Sequence, residues 1–293
     1  LRRSRGYAPD PIFLTTDVDG IVAYGGNQKN VFAIGKGEMA VLSGHIGDIH
    51  SEEMLLHFIE SKERLLRLMG VTPRALVADL HPDYATTRQA LKDADIFHLP
   101  LIQVQHHHAH MVSVMAEHQL TGPALALVLD GTGWGEDGTV WGFELLYGDA
   151  CSYQRLGHLR PTPLPGGERA IEEPWRNAVG MILHLFGEEG MTQLEALPAF
   201  QPYQQQIPII KQMVERGLNT PMAGTCGRLF DAVSALLGVC THAEYEGEAA
   251  VQLSELVTGE QIGRAYPFHM VTTPANPHLV QIDPEPMLHQ LLH

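Results

Sequence analysis

Two short apolar segments that each end in an aspartate constrain the fold of this chain most strongly. Ala75–Ala78 runs directly into Asp79, and Leu125–Leu129 runs into Asp130. Apolar runs of this length, bounded by polar residues, predict strands that are buried in a sheet. Segments with helical periodicity lie between them, and strands that alternate with helices indicate an α/β fold.

The longest helical segment precedes the first of these strands and has clear start and stop signals. Ser51 is suited to cap its amino terminus, and Glu52 and Glu53 lie in the first turn, where the helix dipole favours acidic side chains. Apolar residues recur at helical spacing up to Met69, and Gly70 ends the pattern. Further helices are predicted over residues 86–92, 106–117, 174–186, 207–216, 227–237 and 247–256, and further strands over 98–104 and 139–146.

A similar order of elements occurs twice along the chain. A strand, a glycine-rich turn and a hairpin follow one another near Asp19–Phe32 and again near Leu125–Glu144. The repeat predicts two lobes, which a length of 293 residues also favours. We expect a linker over residues 1–10, a first lobe over 11–124 and a second lobe over 125–293. The chain ends within what looks like the opening of an amphipathic helix, so we expect the second lobe to be truncated.

Charge and composition narrow the class of protein. The formal net charge of −15 argues against a protein that mainly binds a nucleic-acid backbone. No apolar run is long enough to span a membrane, and the basic start of the chain is not followed by the apolar stretch of a signal peptide. Cys151, Cys226 and Cys240 form neither a zinc motif nor a disulfide framework. These features predict a cytoplasmic protein that binds neither membranes nor nucleic acid.

The segment VQHHHAH, residues 104–110, is the strongest indication of a metal site. His106 and His110 lie four residues apart, so a helix would place both imidazoles, which are common metal ligands, on one face. The zinc-protease motif is excluded because His107 stands where that motif requires glutamate. Histidines at the start of a helix can equally be packed core or surface groups, and that alternative stays open here.

Asp130 is a candidate third ligand because it ends the strand that follows the histidine segment. Strand ends in α/β sheets line ligand crevices. Two histidines and one carboxylate leave positions open for water or substrate, as in catalytic rather than structural metal sites. Fe(II) and Zn(II) both suit such ligands, so the residues do not identify the metal.

Small residues follow Asp130 and are typical of an anion-binding loop. The backbone N–H groups of Gly131, Thr132 and Gly133 would be able to approach a phosphate or an acyl oxygen closely. An ordinary hairpin turn explains the same glycines equally well. Lys29, in another glycine-rich turn, would neutralise a phosphate unless it is simply a solvated turn residue.

Two further segments carry candidate nucleotide contacts. Arg228 and Asp231 belong to the amphipathic segment Gly227–Gly238, whose apolar residues most simply form core. Their i, i+3 spacing predicts an ion pair, although Asp231 would alternatively accept hydrogen bonds from ribose hydroxyls. The next helix starts near Gly247, and its amino terminus is a candidate neighbour of a nucleotide.

Together these segments resemble the C-terminal carbamoyl-transfer region of the hydrogenase maturation carbamoyltransferases, the HypF family. The resemblance covers nearly the whole chain, and the motifs occur in the order found in the family. The motifs are LRRSRGY (1–7), SGHIGD (43–48), ADLHPDY (78–84), VQHHHAH (104–110), LDGTG (129–133), LPGGE (164–168), EPWR (173–176), GRLFDAV (227–233) and YEGEAA (245–250).

The resemblance implies an actin/Hsp70-like fold of the ASKHA class, in which a ribonuclease H-like unit is duplicated into two lobes that form a Kae1-like domain. It implies that residues 1–10 are the tail of an upstream, YrdC-like adenylate-forming domain. Full-length members also carry acylphosphatase-like and zinc-finger domains. The resemblance further implies that the second lobe lacks the last metal-ligating aspartate of the family.

The activity implied by the resemblance is transfer of a carbamoyl group from carbamoyl-adenylate, made from carbamoyl phosphate and ATP, to the C-terminal cysteine thiol of a partner protein, HypE. That group later becomes a cyanide ligand of [NiFe]-hydrogenase. His106, His110 and Asp130 match the metal ligands, for Fe or Zn, and with Lys29 they are the expected catalytic residues; Mg²⁺ would accompany ATP. The residues expected around the acyl-adenylate are Lys29, Gly131, Thr132, Gly133, Arg228, Asp231 and Gly247.

Two other classes of function stay open at this point. The chain could be a related O-carbamoyltransferase, or a transferase of threonylcarbamoyl to tRNA, on the same fold. The charge of −15 weighs against tRNA as the acceptor. The chain could also be a nucleotide-binding module without catalytic activity.

Overall fold

The protein is described here by a computed structural model that covers residues 10–257, 265–273 and 276–292. The described chain divides into two compact units. The first unit comprises the described residues up to Ala124 together with Gly148–Ser152, and the second comprises Leu125–Tyr147 and the described residues from Tyr153 onward. Most of the predicted linker, residues 1–9, lies outside the described residues.

A six-stranded sheet forms from the described residues of the first unit, in the order β1-β4-β3-β2-β5-β6. Its strands are β1 (Ile12–Phe13), β2 (Ile21–Ala23), β3 (Ala33–Lys36), β4 (Met39–Leu42), β5 (Ala75–Asp79) and β6 (Leu101–Val104). Strands β1 to β4 pair in antiparallel fashion, whereas β2, β5 and β6 are parallel to one another. The carboxyl ends of β2, β5 and β6 therefore meet at one edge of this sheet.

The helices of the first unit are α1 (Glu52–Met69), α2 (Ala85–Phe97) and α3 (His106–Glu117). The predicted start and end of α1 are confirmed, because the Ser51 side chain accepts a hydrogen bond from the Met54 amide and Gly70 adopts the left-handed conformation. Helix α2 runs more than a turn further than predicted and ends at Phe97, with His98 as its C-cap. The core beneath these helices includes Val22, Tyr24, Phe32, Ile34, Phe58 and Leu76, all of them buried.

The described residues of the second unit form a seven-stranded sheet, in the order β10-β11-β8-β9-β13-β12, with β7 paired to β8. The strands are β7 (Ala124–Trp134), β8 (Val140–Gly148), β9 (Tyr153–Leu159), β10 (Thr162–Pro163), β11 (Met222–Thr225), β12 (His269–Thr273) and β13 (Asn276–Asp283). Strand β11 is parallel to β8, and β13 is parallel to β9. Strands of both orientations together with helices make this unit mixed α/β, as predicted.

Strand β7 corrects the predicted loop. The strand was expected to end at Asp130, but it continues through Gly131–Gly133 to Trp134. The turn of the predicted hairpin near Leu125–Glu144 falls on residues 135–139, where the Gly135 amide donates to the Thr139 carbonyl. Pairing with β8 therefore keeps the glycine segment extended, although its composition is typical of a turn.

Helices of the second unit pack into a separate apolar core. They are α4 (Arg169–Glu172), α5 (Pro174–Ala196), α6 (Ile207–Arg216), α7 (Cys226–Leu236), α8 (Glu248–Glu255) and α9 (Glu285–Leu292), with a 3-10 turn at Pro198–Tyr203. The predicted end of a helix near Phe186 is confirmed for the first part of α5. Gly187 leaves the helical conformation there, but a second helical stretch follows it to Ala196. Buried side chains of α5, α6 and α7, among them Trp175, Ile182, Met191, Ile210 and Ala232, form the core.

None of the described helices combines the length and the apolar composition needed to cross a bilayer. This agrees with the hydropathy of the sequence.

Candidate metal and nucleotide site

The two predicted metal-ligating histidines meet at the start of α3. Gln105 caps this helix, because its side-chain oxygen accepts hydrogen bonds from the amides of His107 (2.6 Å) and His108 (3.0 Å). The first turn of α3 then brings the Nε2 atoms of His106 and His110 to 3.2 Å from each other. Two imidazole nitrogens that converge in this way can both bind one ion at the usual metal–nitrogen distance of about 2.0–2.1 Å. The donor set therefore fits Zn(II) or Fe(II).

Asp79 contacts the first of these histidines and was missed as a site residue in the sequence. Its Oδ2 lies 2.7 Å from His106 Nδ1, and its Oδ1 accepts a hydrogen bond from the His81 amide (2.8 Å). Burial disfavours the charged form of Asp79, but the hydrogen bonds from His106 and His81 outweigh it and hold the pKa of this carboxyl below its usual range. The available signal was the position of Asp79 at the carboxyl end of a buried strand.

The middle histidines of the segment have packing partners of their own. His107 is buried, with its Nδ1 3.2 Å from the Gln105 side-chain nitrogen. His108 Nε2 lies 2.8 Å from the backbone oxygen of Asp149. His107 and His108 therefore have hydrogen-bonding partners outside the converging pair.

Lys29 lies in the turn that follows β2, at the same edge of the first sheet as Asp79 and His106. Its amide donates to Asp48 Oδ1 (2.5 Å), and its backbone has a positive φ of 47°. Asn30 fixes the turn by donating to the backbone oxygens of Tyr24 and Gly26. The parallel pairing of β2, β5 and β6 explains why residues far apart in sequence share this edge.

Asp130 and the glycine segment belong to the second unit. Asp130 Oδ1 accepts a hydrogen bond from the Gly131 amide (2.7 Å). A Cβ added to Gly227, in the first turn of α7, would lie only 2.9 Å from the Gly131 Cα, so a glycine is required for this approach. The amino terminus of α7, capped by Thr225, thus abuts the glycine segment and directs its positive dipole end towards it.

Arg228 and Asp231 are both buried on α7 and contact each other. Arg228 Nε lies 2.7 Å from Asp231 Oδ2, and Asn177 donates a long hydrogen bond of 3.4 Å to the same oxygen. Burial raises the pKa of Asp231 from 3.8 to about 6, although Arg228 acts in the opposite direction. The predicted ion pair is therefore present, while a contact of either residue with a nucleotide stays a prediction.

Gly247 precedes the short helix α8. Its φ of 82° is left-handed, which a residue with a side chain adopts only with strain. The side chain of Glu248 accepts a hydrogen bond from the Glu244 amide (2.6 Å), so the segment 244–248 forms a closed turn. A contact between Gly247 and a nucleotide stays a prediction.

A polar network that the sequence did not predict stabilises the hairpin after the glycine segment. Arg155 donates to both oxygens of the buried Glu144 (2.6 and 3.1 Å) and to Asp137 (2.8 Å), and its guanidinium lies 3.7 Å from the Trp141 ring centroid. Trp141 Nε1 also donates to Asp137 (2.8 Å). These contacts link β8 and β9 to the turn at residues 135–139.

Comparison with known proteins identifies the family. A family model described as the HypF Kae1-like domain matches residues 16–117, and one described as the second subdomain of the carbamoyltransferase Kae1-like domain matches residues 126–293. The chain belongs to the HypF family. Among curated relatives, carbamoyltransferase HypF2 of Cupriavidus necator is 41% identical over 263 residues, and carbamoyltransferase HypF of Rhizobium leguminosarum is 37% identical over 257 residues.

The extent of these matches defines which part of a HypF protein is present. The two matches cover 89% and 88% of this chain but 32% of each relative, so the chain spans about a third of the length of these HypF proteins. The crystal structure of a full-length HypF in a phosphate- and nucleotide-bound form matches with a TM-score of 0.86 and 38% identity, over 98% of this chain and 43% of that one. This match confirms the predicted α/β fold of the actin/Hsp70-like class.

Proposed function

We propose that this chain provides the carbamoyl-transfer site of a HypF-type carbamoyltransferase. In this proposal the carbamoyl group of carbamoyl-adenylate, made from carbamoyl phosphate and ATP, passes to the C-terminal cysteine thiol of a HypE-type partner. The observation that carries the proposal is the pair of converging histidine nitrogens, 3.2 Å apart, in a chain whose two units both match the HypF Kae1-like domain.

His106 and His110 are the proposed metal ligands of the first unit, and Asp130 is the carboxylate that we propose as the third ligand. A bound Fe or Zn ion would supply Lewis acidity towards the carbamoyl carbonyl or the adenylate phosphate. Asp79 keeps His106 oriented, and Lys29 contributes a positive charge at the same sheet edge, where a phosphate would be neutralised. In this proposal, the residues at the sheet edge have separate roles in metal binding, histidine orientation and phosphate neutralisation.

The proposed acyl-adenylate contacts come from the second unit. The amides of Gly131, Thr132 and Gly133, together with the amino terminus of α7, would donate to the phosphate of the leaving AMP. Arg228, Asp231 and Gly247 would contribute to the binding of the nucleoside, and Mg²⁺ would accompany ATP. The nucleotide-bound relative supports this assignment, since its structure resembles this chain over nearly its whole length.

The chemical step is an acyl transfer that needs no nucleophile from this chain. The partner's thiolate attacks the carbamoyl carbon, a C–S bond forms, the C–O bond to the AMP phosphate breaks, and AMP leaves. Burial raises the thiol pKa of both Cys226 and Cys240, which makes them poor nucleophiles at neutral pH. The properties of these cysteines are therefore consistent with an external thiol.

The test uses the full-length enzyme with His106 and His110 both replaced by Ala. Metal content is measured by elemental analysis, and carbamoylation of the partner's C-terminal cysteine is measured by mass spectrometry with carbamoyl phosphate and ATP. We expect both to be lost. His118→Ala, at the exposed end of the same helix, is the matched control and should retain both. Unchanged metal content and transfer in the double variant would refute the proposal.

The same assay separates the other functions. A small-molecule hydroxyl or a tRNA offered in place of the partner would be carbamoylated only if the chain belongs to a related transferase. If calorimetric titration shows that ATP binds in the presence of Mg²⁺ but no acceptor is carbamoylated, the binding-module alternative is favoured.

A further inference from the structure

Asp79 is held in a fixed orientation beside the histidine pair. The side chain is buried, with 8% of the residue's surface exposed, and its two carboxylate oxygens have different partners. Oδ1 accepts from the His81 amide at 2.8 Å, and Oδ2 lies 2.7 Å from His106 Nδ1. The main-chain carbonyl of Asp79 also accepts a hydrogen bond, from the Thr87 hydroxyl at 3.2 Å. Backbone and side chain are thus both fixed.

The sheet places this carboxylate opposite His106. Asp79 is the last residue of β5 and pairs in register with Val104, the last residue of β6. After Gln105, the chain turns directly into α3 at His106. The contact between Asp79 and His106 therefore follows from strand pairing and does not depend on a mobile loop.

This contact determines which nitrogen of His106 carries the proton. An ionised carboxylate only accepts hydrogen bonds, so Nδ1 of His106 must be the protonated nitrogen. In the neutral ring the lone pair is then on Nε2, the atom that faces His110 Nε2 at 3.2 Å.

We propose that Asp79 is a positioning residue that fixes His106 in the Nδ1–H tautomer and so presents Nε2 as a metal ligand. The inference depends on the proposed metal site and adds a residue to it. His106 keeps the same tautomer with and without bound metal. Carboxylates that orient ligating histidines typically strengthen metal affinity by about 10- to 100-fold.

Asp79→Asn is the informative substitution because it preserves size while changing hydrogen-bond character. The amide oxygen can still accept from the His81 amide, which leaves the NH₂ group facing His106. An NH₂ group donates, so it favours a lone pair on Nδ1 and a proton on Nε2, which is the tautomer that cannot bind metal through Nε2. If Asp79→Asn does not fold, Asp79→Glu is the second variant to measure. It keeps a carboxylate and should therefore retain the Nδ1–H tautomer of His106.

The matched control is Asp93→Asn. Asp93 is also buried in the first unit, where it forms an ion pair with Lys62 and accepts a hydrogen bond from the Tyr24 hydroxyl. This variant should lose stability without any effect on His106. A general loss of packing in the first unit is thereby separated from a specific effect on the tautomer.

The experiment uses full-length protein with ¹⁵N-labelled histidine. Ring ¹⁵N shifts of the metal-free protein report the His106 tautomer, and Zn²⁺ titration against a competing chelator reports affinity. We expect Asp79→Asn to shift His106 towards the Nε2–H form and to weaken Zn²⁺ binding by about 10- to 100-fold, with Asp93→Asn unchanged in both. Unchanged tautomer and affinity in Asp79→Asn would overturn the role of Asp79 alone. Unchanged Zn²⁺ affinity in His106→Ala would instead overturn the metal site itself.

Discussion

Two pairs of polar side chains in this protein lie at helical spacing, but only one of them leaves its polar atoms available to bind a ligand. His106 and His110 lie one turn apart on α3, partly exposed, with their Nε2 atoms converging. Arg228 and Asp231 lie three residues apart on α7, almost completely buried, and bind each other at 2.7 Å. The first pair presents two imidazole nitrogens that can bind one metal ion. In the second pair, the positive charge of Arg228 and the negative charge of Asp231 compensate each other.

Burial and charge explain this difference. A buried cation and a buried carboxylate must pair, because an isolated charge in the interior is very unfavourable. His106 and His110 face a weaker requirement of this kind, because His106 is half-buried and His110 is exposed. The comparison therefore assigns ligand binding mainly to the α3 pair, whereas the two α7 side chains chiefly compensate each other's buried charge.

The largest expected effect comes from breaking the α7 pair on one side only. Arg228→Met leaves Asp231 buried without its cation, and we expect the free energy of unfolding to fall by about 3–5 kcal/mol. Urea denaturation measures this free energy of unfolding. The double variant Arg228→Met/Asp231→Leu removes both charges and should recover most of the loss. A fall below about 1 kcal/mol in the single variant would mean that an uncompensated Asp231 costs the folded state little.

The pH dependence of stability sharpens the same comparison. The pKa of Asp231 rises from 3.8 to about 6 on folding, so between these values the folded state binds more protons than the unfolded state. Its contribution must therefore become less favourable as pH rises through this window, by up to roughly 3 kcal/mol at about 1.4 kcal/mol per pKa unit. Other carboxyls, such as Asp79, have lowered pKa values and act in the opposite direction.

The measurement is the difference in unfolding free energy between the wild type and Asp231→Asn across this pH range. We expect the wild type to lose stability relative to the variant as pH rises from 4 towards 6. A difference that does not vary with pH would contradict the raised pKa.

A smaller effect is expected where α7 approaches the glycine segment. Gly227→Ala would place a Cβ 2.9 Å from the Gly131 Cα, a contact with backbone that cannot move aside easily. We expect a loss of about 1–3 kcal/mol in unfolding free energy and weaker binding of ATP and Mg²⁺. Gly122→Ala, which meets no atom within 4 Å, is the control and should change stability by less than about 0.5 kcal/mol. Equal behaviour of the two variants would show that the close approach is unimportant.

Local signals in the sequence predicted part of this structure correctly. The start and end of α1, the α/β class and the spacing of both pairs depend on residues within a turn or two of one another. The end of β7 could not be predicted, because pairing with β8 overrides the turn preference of Gly131–Gly133. Asp79 was missed because its contact with His106 spans 27 residues and arises only when β5 and β6 pair.

The most direct test of the central claim is anomalous X-ray scattering from a crystal of the full-length protein, recorded at the zinc and iron absorption edges. The account predicts one peak bonded to Nε2 of His106 and Nε2 of His110, with Asp130 as a further ligand. A peak at another position, or a fully metallated protein whose His106 and His110 do not contact the metal, would contradict it.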